Sequence, residues 1–484
     1  MDRNLVALKP ALVWKHFAEI VRIPRPSSHE EKIRRYILDF ARAQGLESKE
    51  DAAHNVYVRK PASKGMEDRK GVILQAHLDM VPQKNNDKEF DFTKDPIDAY
   101  IDGGWVTADG TTLGADNGIG VAAILAVLED RTLKHGPLEA LFTATEETGM
   151  DGANGLEKGL LHGDILLNLD SEEEGELYVG CAGGLDANMT FGYKAEPTPA
   201  GGYTAAKISV KGLKGGHSGI QIVCQRANAN KLLFRLLRRW TAAHDLLLCS
   251  VDGGGLRNAI PREAFAVFGV PAETAGDVCE RCRAFAVEIV EEFKYTEPNL
   301  QMTLNKIGGV EWVLDPVTMQ SLVGALVGLP NGVLAMSHAV EGLVETSSNL
   351  ASVKFGAEGI VVTTSQRSSV ESAKRYAAQT VEAVLRLSGA EVAHSDGYPG
   401  WSPDPDSYLL HVTEQCYERL FAVKPKVRAI HAGLECGLFL EKYPELDMVS
   451  FGPTLRGVHS PDERLEIATV QKFWDLLCAV VGSL

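Results

Sequence analysis

Two histidines and a run of carboxylates stand near the ends of apolar stretches in this chain, in the order His77, Asp116, Glu146-Glu147, Asp170, His459. His77 follows Val72-Ile73-Leu74-Gln75-Ala76, and Glu146 and Glu147 follow Leu141-Phe142-Thr143-Ala144-Thr145. Asp170 follows Ile165-Leu166-Leu167-Asn168-Leu169, and His459 comes after Met448-Val449-Ser450-Phe451. Asp116 opens a helix-like run that begins Asn117-Gly118-Ile119-Gly120-Val121. In an open α/β sheet, ligands gather beyond the carboxyl ends of the strands. Two imidazoles and three carboxylates at such ends are a donor set for two divalent metal ions, so the chain reads as a di-metal hydrolase.

Asp79 lies two residues past His77 and shares its side of an extended chain, where it can accept the second ring N–H. Asp116 reads first as a helix N-cap. An exposed helix start also leaves both its oxygens free to bridge two cations. Glu146 and Glu147 are adjacent at a strand end and point different ways. One can bind metal while the other serves as general base to an activated water. Glu172, Glu173 and Glu174 read as a charged loop. With 13 His in the chain, most are structural or surface groups, and His29, His54, His135, His162 and His244 are read so. Cys279 and Cys282 fall one turn apart on a helix expected over 277–293, with no second pair to complete a zinc site. The chain has no Gly-x-Ser-x-Gly elbow, no Walker loop and no Gly-x-Gly-x-x-Gly after a strand.

These groups need a frame. At 484 residues the chain is too long for one compact core. Strands at 55–59, 71–76, 138–145 and 164–169 alternate with helices after Pro26 and at 117–129, a pattern that implies a mostly parallel sheet covered by helices. Ser27 and Ser28 before Glu30 and Glu31 form a doubled capping-box pattern. The charged loop 83–110, with Gly103-Gly104, reads as a surface hairpin beside the site. Texture changes near Gly183-Gly184, and strands and helices then mix to about residue 393 without supplying any of the five metal-ligand candidates. The expectation is an α/β protein: a discontinuous three-layer catalytic domain, residues 1–186 and 396–484, with an inserted α+β lid domain over 187–395. Two similar α+β halves are expected in the lid, although no sequence repeat is visible.

The formal net charge of −16 argues against nucleic acid or an anionic membrane as partner. No stretch approaches the length of a membrane span. Met1-Asp2-Arg3-Asn4 lacks the charged and apolar blocks of a signal peptide. The eight scattered Cys suit reduced thiols. A cytoplasmic location is expected.

Several local words are family-specific together. Gln75-Ala76-His77-Leu78-Asp79-Met80-Val81-Pro82, Leu113-Gly114-Ala115-Asp116-Asn117-Gly118, Thr145-Glu146-Glu147-Thr148-Gly149 and Asn168-Leu169-Asp170 resemble the M20 metallopeptidases. So do Lys214-Gly215-Gly216-His217-Ser218-Gly219 and Gly457-Val458-His459-Ser460. The long lid and His431-Ala432-Gly433-Leu434-Glu435-Cys436-Gly437 look like the aminoacyl-histidine dipeptidase branch. The resemblance implies one Zn²⁺ on His77, Asp116 and Asp170 and another on Asp116, Glu147 and His459. It further implies Glu146 as general base, Asp79 orienting His77, a cis peptide at Asp116-Asn117, and His217 as oxyanion donor. Many relatives have Glu where Asp170 stands; Asp fits the dipeptidase-like branches. Co²⁺ or Mn²⁺ could occupy the same donors. A dipeptidase must also measure length. Arg367 is the candidate for the substrate's C-terminal carboxylate, Asn258 its candidate neighbour, and Glu435 the candidate for the free amino group.

The reading that follows is a zinc-dependent dipeptidase for Xaa-His dipeptides such as β-Ala-His. One alternative keeps the fold and changes the substrate, to an aminoacylase, a deacetylase or a broader di-/tripeptidase. Another is a non-catalytic metal-binding protein. A homodimer through the lid domain is a further expectation.

Overall fold

The computed structural model describes residues 2–199, 201–241, 246–356 and 359–484. His244 and Ala242, the last residue of a helix expected over 227–242, lie outside them. The chain divides into two compact units. The first is Met1–Gly180 with Pro403–Ala429 and Leu434–Leu484; the second is Cys181–Ser402 with Ile430–Gly433.

The first unit is built on an eight-stranded sheet. In spatial order its strands are Glu47–Glu50, Val56–Lys60, Leu138–Thr143, Val72–His77, Ile165–Asn168, Asp447–Ser450, Glu176–Cys181 and Lys426–Ile430. The four in the middle, from Leu138–Thr143 to Asp447–Ser450, pair in parallel. Antiparallel strands flank them. The parallel strands are the continuous apolar runs, and Val72–His77, Leu138–Thr143 and Ile165–Asn168 are buried at every residue. Strands covered on both faces require such runs. Register pairs His77 with Thr143 and Gln75 with Asn168, and Asn168 in turn with Ser450. The carboxyl ends therefore share one edge, where His77, Glu146-Glu147 and Asp170 emerge.

The helix Ala115–Glu129 is buried from Asn117 through Leu128, with no polar stripe. A helix apolar all round belongs in a core. Asp116 and Asn117 depart from helical φ/ψ, and Gly114 at φ 70° is the N-cap, so Asp116 does not cap the helix. The 83–110 loop contains the hairpin Ala99–Asp102 with Trp105–Ala108, turning at Gly103-Gly104. Arg464–Glu466 pairs with it shortly after His459.

The doubled capping box does not form. Glu30 is the N-cap of Glu31–Gln44 and makes no side-chain cap bond. The Ser27 hydroxyl donates instead to Asp79, and Glu30 accepts from Ser28 N. Tertiary partners outbid the local turn here.

Besides two two-stranded pairs, Ala195–Pro197 with Trp312–Leu314 and Gly216–His217 with Ala259–Ile260, the second unit holds one nine-stranded sheet. Its strands run Gln301–Lys306, Tyr203–Lys211, Ala264–Pro271, Leu247–Gly254, Val344–Gly356, Gly359–Ser368, Gly183–Phe191 and Glu391–His394, with Gly332–Met336 beside Val344–Gly356. Helices Ala229–Thr241, Ala275–Glu292, Pro316–Gly328 and Glu371–Leu387 belong to the same unit, and Trp240, Phe268, Phe285 and Leu326 lie in its core. Where two similar α+β halves were expected, the main strands of the unit form the one nine-stranded sheet. Cys279 and Cys282 lie on Ala275–Glu292, Cys282 buried and Cys279 partly exposed. Among the described residues, no helix is long and apolar enough to cross a membrane.

Candidate metal centre

At the shared strand edge, Asp116 divides its two oxygens between two groups. Its Oδ1 lies 3.0 Å from His77 Nε2, which is also 3.3 Å from Asp170 Oδ1. Its Oδ2 lies 3.2 Å from His459 Nε2, which is 3.0 Å from Glu147 Oε2. His77, Asp116 and Asp170 thus form one convergent cluster of donors, and Asp116, Glu147 and His459 another. His77 also comes within the same reach of Glu146 and Glu147.

The electrostatics fit cations. Burial pushes Asp170 up to about 6 against the pull of His77, with Asp116 and Glu147 adding to the rise. Burial lowers His77, but Asp170, Asp116 and Asp79 outweigh it and hold the ring well above its ordinary range. Hydrogen bonds to Asp116 and Glu147 raise His459 to about 11. Burial also lifts Glu146 well above its ordinary range; His77 opposes this, and Asp170, Glu435 and Glu147 reinforce it. Glu147 Oε1 is buried with no hydrogen-bond partner. Carboxylates crowded in a dry place, with an orphaned oxygen, are the donor environment that a divalent cation satisfies.

Asp79 does more than orient one ring. Its Oδ1 is 3.3 Å from His77 Nδ1 and accepts from Glu146 N at 2.9 Å. Its Oδ2 accepts from Ser27 Oγ at 2.8 Å and Glu147 N at 3.2 Å. Burial alone would raise this carboxyl, yet His77, Ser27 and the Glu146 N–H hold it down at about 2. It therefore stays ionised and fixes His77 and both glutamates together. Thr145, just before them, sits at φ 55°, a left-handed conformation that a β-branched residue seldom adopts. Glu30 Oε1 holds it there through Thr145 N at 3.1 Å and Thr145 Oγ1 at 3.0 Å. Asn117 follows a cis peptide bond and donates to Leu169 O at 2.8 Å and to Asp170 Oδ1.

Peptidase family M20/M25/M40 matches the chain over residues 73–483. This chain belongs to that family. It is 47% identical over 481 residues, 99% of each chain, to the cytosol non-specific dipeptidase of Escherichia coli (strain K12). The crystal structure of aminoacylhistidine dipeptidase from Vibrio alginolyticus superposes with TM-score 0.95 at 47% identity, covering 99% of this chain and 98% of that one. A tripeptidase from Staphylococcus aureus shares the fold at TM-score 0.57 and 15% identity, over 99% of this chain and 100% of that one.

The remaining candidates of this M20 peptidase divide between the units. In the first, Glu435 opens the helix Glu435–Lys442 and is fully buried. Its Oε2 accepts from Gln75 Nε2 at 2.7 Å and Thr143 Oγ1 at 2.9 Å, while Oε1 has no partner. Burial pushes it up to about 8, although His77 pulls it down. In the second unit, His217 Nδ1 accepts from Gly219 N and Ile220 N, each at 3.1 Å. Asn258 is exposed, and its carbonyl accepts from Ser218 N at 2.8 Å. Arg367 lies inside the strand Gly359–Ser368. It donates to Tyr398 Oη at 2.6 Å and keeps a buried Nε without a partner.

Sequence reading missed Ser27, Glu30, Asn117 and Gln75 as site-supporting groups. Asn117 could have been found, because it sits next to Asp116. The others are ordinary polar residues whose roles depend on tertiary contacts.

Proposed function

We propose that this M20 peptidase is a metal-dependent dipeptidase that cleaves dipeptides with free amino and carboxyl ends, Xaa-His among them, using a pair of divalent cations, with Zn²⁺ the first choice. The observation that carries the reading is Asp116, one carboxylate whose two oxygens face two separate His-carboxylate groups. His77 and Asp170 would hold one ion with Asp116, and Glu147 and His459 the other. Bound there, such ions supply Lewis acidity and make a water acidic enough to lose its proton near neutral pH.

Glu146 takes that proton at its carboxylate and later gives it to the leaving amine. Its raised pKa suits a group that must hold the proton between two steps. Asp79 fixes the direction of Glu146 through the Glu146 N–H. His217 donates from Nε2 to the scissile carbonyl oxygen as charge develops there. Arg367 receives the substrate's carboxylate through its guanidinium, with Asn258 nearby. Glu435 Oε1 receives the amino group. A cytosolic location agrees with the name of the Escherichia coli relative.

The test is a hydrolysis panel of β-Ala-His, Gly-His, Ala-Leu, N-acetyl-Leu and a tripeptide, with and without chelator. Chelator-sensitive cleavage of the dipeptides is expected, strongest on those ending in His. Cleavage spread over other dipeptides would remove the His preference and keep the chemistry. Activity on N-acetyl-Leu alone would move the enzyme to the deacylases.

A further inference from the structure

The turn Leu113–Asp116 carries the bridging carboxylate but has little side chain of its own to hold it. Gly114 sits at φ 70°, and no side chain caps the helix that follows. Two buried groups from opposite ends of the sequence hold it instead. Glu463 spends both oxygens on its backbone. Oε2 accepts from Leu113 N at 2.8 Å and Gly114 N at 2.9 Å; Oε1 accepts from Ala115 N at 2.8 Å and Asp116 N at 3.2 Å. Arg25 holds the carbonyl side. Its Nη2 donates to Gly114 O, and its Nη1 donates to Leu78 O at 2.8 Å and Asp79 O at 2.7 Å. One guanidinium therefore ties the turn of Asp116 to the strand end of His77.

The surroundings are shaped to this arrangement. A Cβ on Gly118 would lie 2.6 Å from Arg25 Nη2, and one on Gly114 would lie 2.8 Å from the same atom. Arg25 is 1% exposed and Glu463 2%. Burying two charges is costly, and apolar residues of similar volume could fill the space. Apolar residues could not supply donors and acceptors aligned on the backbone that carries two ligands. Neither side chain belongs to the metal donors or to the candidate substrate contacts.

We propose that Arg25 and Glu463 are positioning residues that set the spacing of His77 and Asp116, and through it the affinity for metal. The inference rests on the two-cation reading above. The full-length apoprotein is titrated with Zn²⁺ against a chromogenic chelator, for the wild type, Arg25→Lys, Glu463→Gln and Leu477→Ala. Leu477→Ala opens a cavity in the buried face of the helix Ile467–Ser483, away from the donors in sequence, and serves as a stability control.

Both positioning variants should lose roughly 10–100-fold in Zn²⁺ affinity, the usual effect of losing a group that orients a ligand. Leu477→Ala should melt earlier yet keep wild-type affinity. Excess Zn²⁺ should restore much of the turnover of Arg25→Lys, with KM unchanged. Wild-type affinity in both variants would overturn the proposal. So would losses that follow melting temperature on one line with Leu477→Ala. Failure of both conservative variants to fold would also count against it, because the pair would then serve folding. If the wild type itself takes up no Zn²⁺, the two-cation reading fails first.

Discussion

Two backbone N–H groups, those of Gly219 and Ile220, donate to His217 Nδ1. In the neutral ring the remaining proton must then sit on Nε2, which makes that nitrogen a fixed donor. Burial, with Arg367 adding to it, lowers the ring's pKa, so it stays neutral at physiological pH. A neutral donor that cannot change tautomer is preorganised for an oxyanion. Replacing His217 with Ala should lower kcat by roughly 10²–10³ with KM little changed, the scale of a lost oxyanion donor; steady-state kinetics on a preferred dipeptide would check it. Asp79 is the other residue whose burden exceeds its sequence signal. An Asn there keeps the shape but cannot accept on both sides from Ser27 and the Glu146 and Glu147 N–H groups, nor offer the His77 ring a charge 3.3 Å away. Asp79→Asn should cost about 10–100-fold in metal affinity, read by chelator competition.

Elements deliver these residues through close backbone approach. A Cβ on Gly120 would meet Leu169 O at 2.7 Å, so the helix Ala115–Glu129 can lie against the end of Ile165–Asn168 only because that position is glycine. Gly120→Ala should cost about 1–3 kcal/mol, the range for overpacking a tight core, measured by denaturant unfolding. The strand ends were legible because apolar runs stop where they do. The Arg25–Glu30 segment was not. In sequence it reads only as a doubled capping-box pattern, while its side chains in fact serve Leu78, Asp79, Gly114 and Thr145. Such pairings are long-range, and no local period announces them. The short return Ile430–Gly433 was equally invisible, and it brings His431 into the second unit. His431 Nε2 lies 2.7 Å from Ser347 Oγ, and burial lowers the ring from 6.5 to about 3. Between those values the unfolded chain binds a proton that the folded ring refuses. Stability should therefore fall as pH drops through that window, by up to about 1.4 kcal/mol per pH unit. His431→Gln should flatten that slope, read by urea unfolding near neutral pH and again at about pH 4.5.

At the scale of the whole molecule, sequence order and local words carried the family, because the ligand-bearing turns are short and contiguous. The sheet's antiparallel flanks and the exact edges of the second unit were not readable, since pairing partners lie hundreds of residues apart. Substrate choice belongs to this scale as well, with the dipeptide's carboxylate proposed for Arg367. Arg367→Ala should raise KM for free dipeptides by about 10²-fold, the worth of a charge-assisted hydrogen-bonded pair. It should leave the weak turnover of C-terminally amidated dipeptides nearly unchanged. The most direct test of the account is to measure metal content and turnover together in Glu146→Gln. The account predicts two ions bound as tightly as in the wild type and hydrolysis reduced by about 10²–10⁴-fold. Turnover near the wild-type rate, or loss of the ions with the base, would contradict it.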